Sequence, residues 1–201
     1  MGRKIEVHKR EMWEILKAWL IISVAFTIIL SSPFFNKITL QGVLIYFVIS
    51  LLTVGLGFLF HELAHKIVAQ KYNCEAEFKA DNLMLLLALG MSFLGFVFAA
   101  PGAVHIKGYI IKVQNGIISL SGPLMNLILA LVFLPGMILI DQGLLGLFFL
   151  YGFIINSWLG LFNMIPVGNF DGSKIYKWNK KIFYAVALTL LAMTIFGMFM
   201  Q

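Results

Sequence analysis

Thr53-Val54-Gly55-Leu56-Gly57-Phe58-Leu59-Phe60-His61-Glu62-Leu63-Ala64-His65 is the stretch on which the reading of this chain turns. No charge interrupts it from Thr53 to Phe60, and then three polar side chains arrive together. On a helix, histidines four apart lie on one face a turn from each other, close enough to bind one metal ion through both imidazoles. The glutamate between them is then placed to act as a base on a metal-bound water. On a soluble helix the same five residues can be a solvated face. At membrane depth, ionisable groups are costly and mark function by default.

Composition supports a membrane setting. The chain is 61% hydrophobic and 12% charged, with a mean hydropathy of +0.94, too little polar surface to cover a water-soluble globule of 201 residues. The net charge of +6 does not indicate nucleic acid as a partner, because the basic residues sit at the ends of apolar runs and form no face interleaved with stacking aromatics. They read as anchors on the cytoplasmic side of a lipid bilayer. The lone cysteine, Cys74, allows no internal disulfide.

Apolar runs of spanning length cover residues 18–35, 42–69, 117–140, 144–165 and 182–200. Residues 1–17 read as a cytoplasmic amphipathic lead-in, and no linker or repeat divides residues 1–201 into more than one domain. The expected fold is an all-α integral membrane protein with five to six transmembrane helices. Counting basic residues in the loops puts the N-terminus in the cytoplasm, with Lys66, Lys71, Lys79 and the cluster Lys174, Lys177, Lys180 and Lys181 on that same side. Asp141 to Gly143 then form an external turn. Residues 83–100 consequently start and end on one side, so Gly90 and Gly95 are expected to mark a re-entrant or β-hairpin-like segment near 83–112. The alternative is that 83–100 crosses and the charge rule fails at Lys107 and Lys112.

A zinc site of two histidines needs a third protein ligand and a position for water. Acidic candidates are few: Glu75, Glu77 and Asp81 lie just beyond the motif helix, Asp141 lies on the far side of the membrane, and Asp171 lies on the near side. Asp171 follows a helix-breaking Pro166 and a loosening Gly168. It reads either as the cap of a following helix or, with His61 and His65, as the third ligand.

His61, Glu62 and His65, with Asn163-x-x-Pro166-x-x-x-x-Asp171-Gly172 about a hundred residues later, resemble the site-2 protease family of intramembrane zinc metalloproteases. Gly122-Pro123-Leu124-Met125-Asn126 resembles that family's middle-helix motif, and Pro101-Gly102-Ala103-Val104 its re-entrant region. The likeness covers about residues 40–180. It departs at Gly168 and Phe170, where many relatives carry proline and leucine, and in the long apolar insertion at 83–100. The resemblance implies a minimal catalytic core in which Zn2+ is held by His61, His65 and Asp171, with Glu62 as general base. It further implies Asn126 and Asn163 as polar groups near the site. They would bind the substrate backbone or the developing oxyanion, or else simply join helices by hydrogen bonds.

The expected partner is then a single-span transmembrane protein, cleaved by a multi-pass enzyme of the cell membrane. A substrate helix must unwind to expose its carbonyls, and an extended segment around Phe96 to Ile106 is suited to receive it by strand addition. Two other classes remain open: a metal transporter, which should show repeats or ionisable groups along several spans, and a catalytically silent zinc-binding protein, which has no need of Glu62.

Overall fold

The computed structural model describes residues 8–31, 39–97, 101–140 and 142–200. Asp141, expected in an external turn, and the N-terminal part of the lead-in lie outside the described residues, as do 98–100 of the segment in question. Five helices are long and apolar enough to cross a membrane: Lys9–Leu30, Leu40–Lys71, Lys112–Leu139, Gly143–Asn163 and Lys180–Phe199. Helices are the form such runs must take, since lipid offers no partner for an open backbone polar group.

The second of these helices is not uniform. It runs as α2 (Leu40–Ser50), a π-helical turn (Leu51–Gly55) and α3 (Leu56–Lys71). Its 32 residues extend about 48 Å against a hydrocarbon thickness of about 30 Å. The wide turn loosens the backbone ladder just before the histidines, and the Trp19 indole N–H donates to the Leu51 carbonyl at 3.1 Å. The first helix, α1 (Lys9–Leu30), supplies that tryptophan and lays Ile15, Ala18 and Ile22 into a core with Val54, Phe58, Phe78, Leu85 and Ile155.

Helix α1 begins at Lys9, well before the expected start of the first span at residue 18. Residues 9–17 belong to the same packed helix as the apolar run, and Glu11 within them is fully buried. A buried counter-charge explains this, as described below.

Two short strands and a short helix lie between α3 and the next long helix. Strand β1 (Glu75–Ala80) pairs antiparallel with β2 (Gly102–Lys107), with Phe78 opposite Val104 and Ala80 opposite Gly102. Between them α4 (Asn82–Ser92) rises only 11 residues, about half the hydrocarbon thickness, and ends in a turn with Gly95 at φ +86°. Because β1 and β2 lie side by side, the segment returns to where it left. The described residues 82–97 thus leave from β1, and the chain returns beside it at β2, the arrangement expected of a re-entrant segment and not of a crossing. The partner of β2 was not expected: it is β1, across the whole re-entrant segment, and not a neighbour in a local hairpin. Asp81 is spent on starting α4, where its Oδ1 accepts the N–H groups of Leu83 and Met84 at 3.0 and 3.1 Å.

The long helix α5 (Lys112–Leu139) is the central post, with α3 on one side and α6 (Gly143–Asn163) on the other. Close approach comes from glycines that receive rings: Gly136 lies under Phe149 and Gly152 under Phe133. The short helix α7 (Asp171–Trp178) packs against α5, and α8 (Lys180–Phe199) packs against α6 and α7.

Candidate metal centre

Helix α3 carries two adjacent stripes of side chains. His61 and His65 face α5, while Phe58, Glu62 and Lys66, also four apart, face the two-stranded sheet. His61 Nε2 and His65 Nε2 are 3.1 Å apart, and Asp171 Oδ2 completes a triangle at 3.3 and 3.0 Å from them. All three residues are buried. Ligands of a tetrahedral zinc ion stand about 3.3–3.5 Å apart, so this triangle has nearly the dimensions of one face of a zinc polyhedron.

The outer nitrogens decide which atoms face the centre. His65 Nδ1 lies 2.8 Å from the Ile118 carbonyl, which can only accept, so that nitrogen carries the proton and Nε2 presents its lone pair inward. His61 Nδ1 lies 2.6 Å from Asn126 Oδ1. The orientation of that amide follows from its other end, where Asn126 Nδ2 donates to the Gly57 carbonyl at 3.2 Å and to Asn156 Oδ1 at 3.3 Å. Asn156 is oriented in turn by donating to Gly152 O at 2.8 Å. Two imidazole lone pairs, each set by an acceptor behind its ring, thus converge with the Asp171 carboxylate on one point. Such a convergence is repulsive unless a cation is shared, and the donor set of two imidazoles and a carboxylate suits zinc.

Asp171 reaches the centre because the chain reverses sharply after α6. Gly168 adopts φ +58°, and a Cβ on Gly172 would meet the Met164 carbonyl, so only glycine lets α7 start this close to the end of α6. Ser173 Oγ closes the turn by donating to Gly168 O at 2.9 Å. Asp171 is the first residue of α7, with Phe170 in the capping position, so its carboxylate is free for the histidines. Lys174 Nζ, 3.8 Å from Asp171 Oδ1, adds a half-exposed positive charge on the outer side.

His61, Glu62, His65 and Asp171 share the wall of a cleft of about 810 Å3, with the β2 residues Gly102 to Ile106 and with Asn163. Glu62 Oε2 is buried with no hydrogen-bond partner among the described residues, and the Val104 backbone approaches its carboxylate. Asn163 donates to its own helix at Leu159 O, 3.0 Å away, while it also lines the cleft. Asn126 is fully buried behind His61 and joins α5 to α3 and α6. Glu75 and Glu77 stay on the strand, away from the triangle.

Sequence reasoning missed Asn156, Gly57 and the Ile118 carbonyl, the groups that set the imidazoles. Only Asn156 left a trace, as an amide inside an otherwise apolar run. Replacing Asn126 by alanine is expected to weaken zinc affinity about 10- to 100-fold, because His61 loses the acceptor that holds its tautomer. Competition against a chromogenic chelator measures it, and an unchanged affinity would show that packing alone orients His61.

No family model matches the chain, and no solved structure does. It is similar to a protein of Methanocaldococcus jannaschii named "putative zinc metalloprotease", with 45% identity over 160 residues, 78% of this chain and 83% of the relative. That likeness extends over most of both chains, and the triangle of His61, His65 and Asp171 is built for the metal the relative's name carries. This chain belongs to the zinc metalloprotease family, and zinc is its cofactor.

Proposed function

We propose that the protein is an intramembrane endopeptidase of the site-2 type, which hydrolyses peptide bonds in apolar, single-span segments of other proteins. The observation that carries this reading is the position of Glu62 and the donor triangle: inside a bundle of helices of spanning length, on a cleft whose remaining wall is largely apolar, including Ile22, Phe26, Val54, Phe58 and Met84.

His61, His65 and Asp171 would hold the zinc ion, which when bound would supply Lewis-acid polarisation of a carbonyl and lower the pKa of water. Glu62 accepts the proton of the attacking water through its unpartnered Oε2 and delivers it to the amine that leaves when the C–N bond breaks. The outer edge of β2 supports the other half of the task. Phe78 N–H turns away from β2 toward Glu11, so Phe78 and Val104 form a pair without mutual hydrogen bonds, and by alternation Gly102, Val104 and Ile106 direct their N–H and C=O groups away from β1. That free edge lines the cleft, where an unwound substrate strand would exchange its helical bonds for these. Lysines concentrated near the ends of α3, α5 and α7 support a cell-membrane protein with a cytoplasmic N-terminus and a cleft that opens to the cytoplasm.

Purified protein in liposomes should cut a model single-span substrate within its apolar segment, with activity lost to a strong zinc chelator and regained with zinc. Mass analysis of both fragments locates the cut. Cleavage confined to residues outside the apolar segment would sink the intramembrane reading and leave a membrane-anchored metalloprotease.

A further inference from the structure

The helix of the metal ligands also carries a cation that the centre does not use. Lys66 follows His65 directly and is 1% exposed; its Nζ lies 2.5 Å from Glu11 Oε2 on α1. Glu11 is 0% exposed, and its other oxygen accepts the Phe78 N–H at 2.9 Å. Burying two full charges in an apolar bundle rarely stabilises a fold more than two apolar side chains would. Stability alone is therefore a weak reason for this pair.

The placement of Lys66 supplies a stronger one. Glu62 and Lys66 are i and i+4 on α3, with the acid toward the N-terminus, the spacing and order in which a carboxylate and an ammonium meet best on one helix face. Both lie on the stripe that faces the sheet: the Phe58 ring packs edge-to-face on Phe78 at 5.8 Å, the Val104 backbone approaches Glu62, and Lys66 meets the carboxylate that holds Phe78. An ammonium on a flexible four-carbon stem, one turn from Glu62, would be its nearest partner. Yet Glu62 Oε2 has no partner among the described residues, and Lys66 is engaged with Glu11.

We propose that Glu11 is a positioning residue that sequesters Lys66, leaving the Glu62 carboxylate free to take a proton, while its second oxygen holds β1 at the height that sets β2 beside Glu62. The inference rests on the reading of Glu62 as the base. It makes α1 a working part of the catalytic unit and not only an anchor. Without the Glu11 charge, Lys66 swings to Glu62 and occupies the lone pair that must face water.

Glu11→Gln keeps an oxygen for Phe78 N–H and removes only the charge that holds Lys66. The expected result is a kcat lowered about 10- to 100-fold with KM and zinc stoichiometry little changed. E11Q/K66M, which has no cation left to divert, should recover to within about threefold of wild type. A double variant as slow as Glu11→Gln, or a Glu11→Gln enzyme as fast as wild type, overturns the proposal. If Glu11→Gln does not accumulate as folded protein, E11Q/K66M decides alone: folded and active supports the proposal, unfolded or inactive overturns it.

Thermal unfolding of the zinc-stripped protein gives a readout independent of proteolysis. Glu62→Gln should leave the wild-type Tm unchanged or raise it, but lower the Tm of the Glu11→Gln protein by about 3 °C, since there Lys66 has adopted Glu62 as its partner. Additive effects overturn the proposal. If Glu62→Gln left proteolysis intact, the reading of Glu62 as base would fail, while this cycle would still report whether Glu11 holds Lys66 away.

Discussion

Glu62→Gln should abolish cleavage while leaving one zinc per chain. Glutamine matches glutamate in size and keeps an oxygen toward the Val104 backbone, but it cannot accept a proton at neutral pH. The loss of a positioned general base is expected to lower kcat by about 1000-fold, with KM little changed, because the interaction is made only as the water attacks. Metal retention follows from the geometry: the converging atoms belong to His61, His65 and Asp171, and Glu62 is not among them. Removing a buried carboxylate oxygen that has no partner also removes a desolvation cost, so the variant should be at least as stable as wild type. Elemental analysis alongside a proteoliposome cleavage assay measures both quantities. Cleavage at the wild-type rate would show that another group moves the proton, and full zinc with no cleavage in either protein would favour a silent zinc-binding scaffold.

Gly122→Ala should fail in the opposite way, by emptying the centre. The α5 backbone passes directly over the imidazole tips at Gly122, and a Cβ there would fall within 2.6 Å of His61 Cε1 and Nε2 and closer still to His65 Nε2. Neither ring has room to retreat without breaking the bond at its back, from Nδ1 to Asn126 or to the Ile118 carbonyl. The post itself cannot withdraw easily, because Gly116, less than two turns away, is already in contact with the Trp178 ring. One methyl group is therefore expected to lower zinc affinity by about 100-fold or more, comparable to losing the support of a ligand outright. Gly90→Ala on α4, where an added Cβ meets nothing, is the matched control and should bind zinc normally. A Gly122→Ala protein with full zinc stoichiometry in chelator competition would mean that α5 and α3 part more readily than their packing indicates.

These two residues also mark how much of the centre was legible without coordinates. Glu62 was legible because a glutamate between two histidines four apart is local information: helix geometry alone puts the histidines on one face and the glutamate on the stripe beside them. Asp171 was legible less directly, through Pro166, Gly168 and Gly172, which announce a sharp reversal on the correct side of the membrane. Gly122 belongs to a recognisable motif, but nothing in its own neighbourhood says that imidazoles rather than lipid lie across from it. Asn126 stood open between two roles in the sequence. Its structural place, with Oδ1 on His61 Nδ1, depends on α3, α5 and α6 meeting at one level.

The same division runs through the fold. Bilayer thickness imposes about twenty apolar residues on every crossing, so five spans could be counted from hydropathy. That α1 begins at Lys9, ahead of the apolar run, was not legible because the cation that pairs with buried Glu11 lies 55 residues away. Strand β1 escaped notice because only Ala76 and Phe78 in Glu75–Ala80 are buried, too short an alternation to stand out among charges.

By itself the sequence determined a helical protein of spanning apolar runs, two histidines with a glutamate between them on one helix, and an aspartate after a sharp reversal as a candidate third ligand. Each rests on local periodicity or on the thickness of lipid, which act along the chain. The tertiary structure alone decided which nitrogen of each histidine faces inward, which glycine makes room for them, and where Lys66 is held. Those depend on contacts between residues 50 to 70 positions apart, and no local preference encodes which atoms such distant segments will bring together.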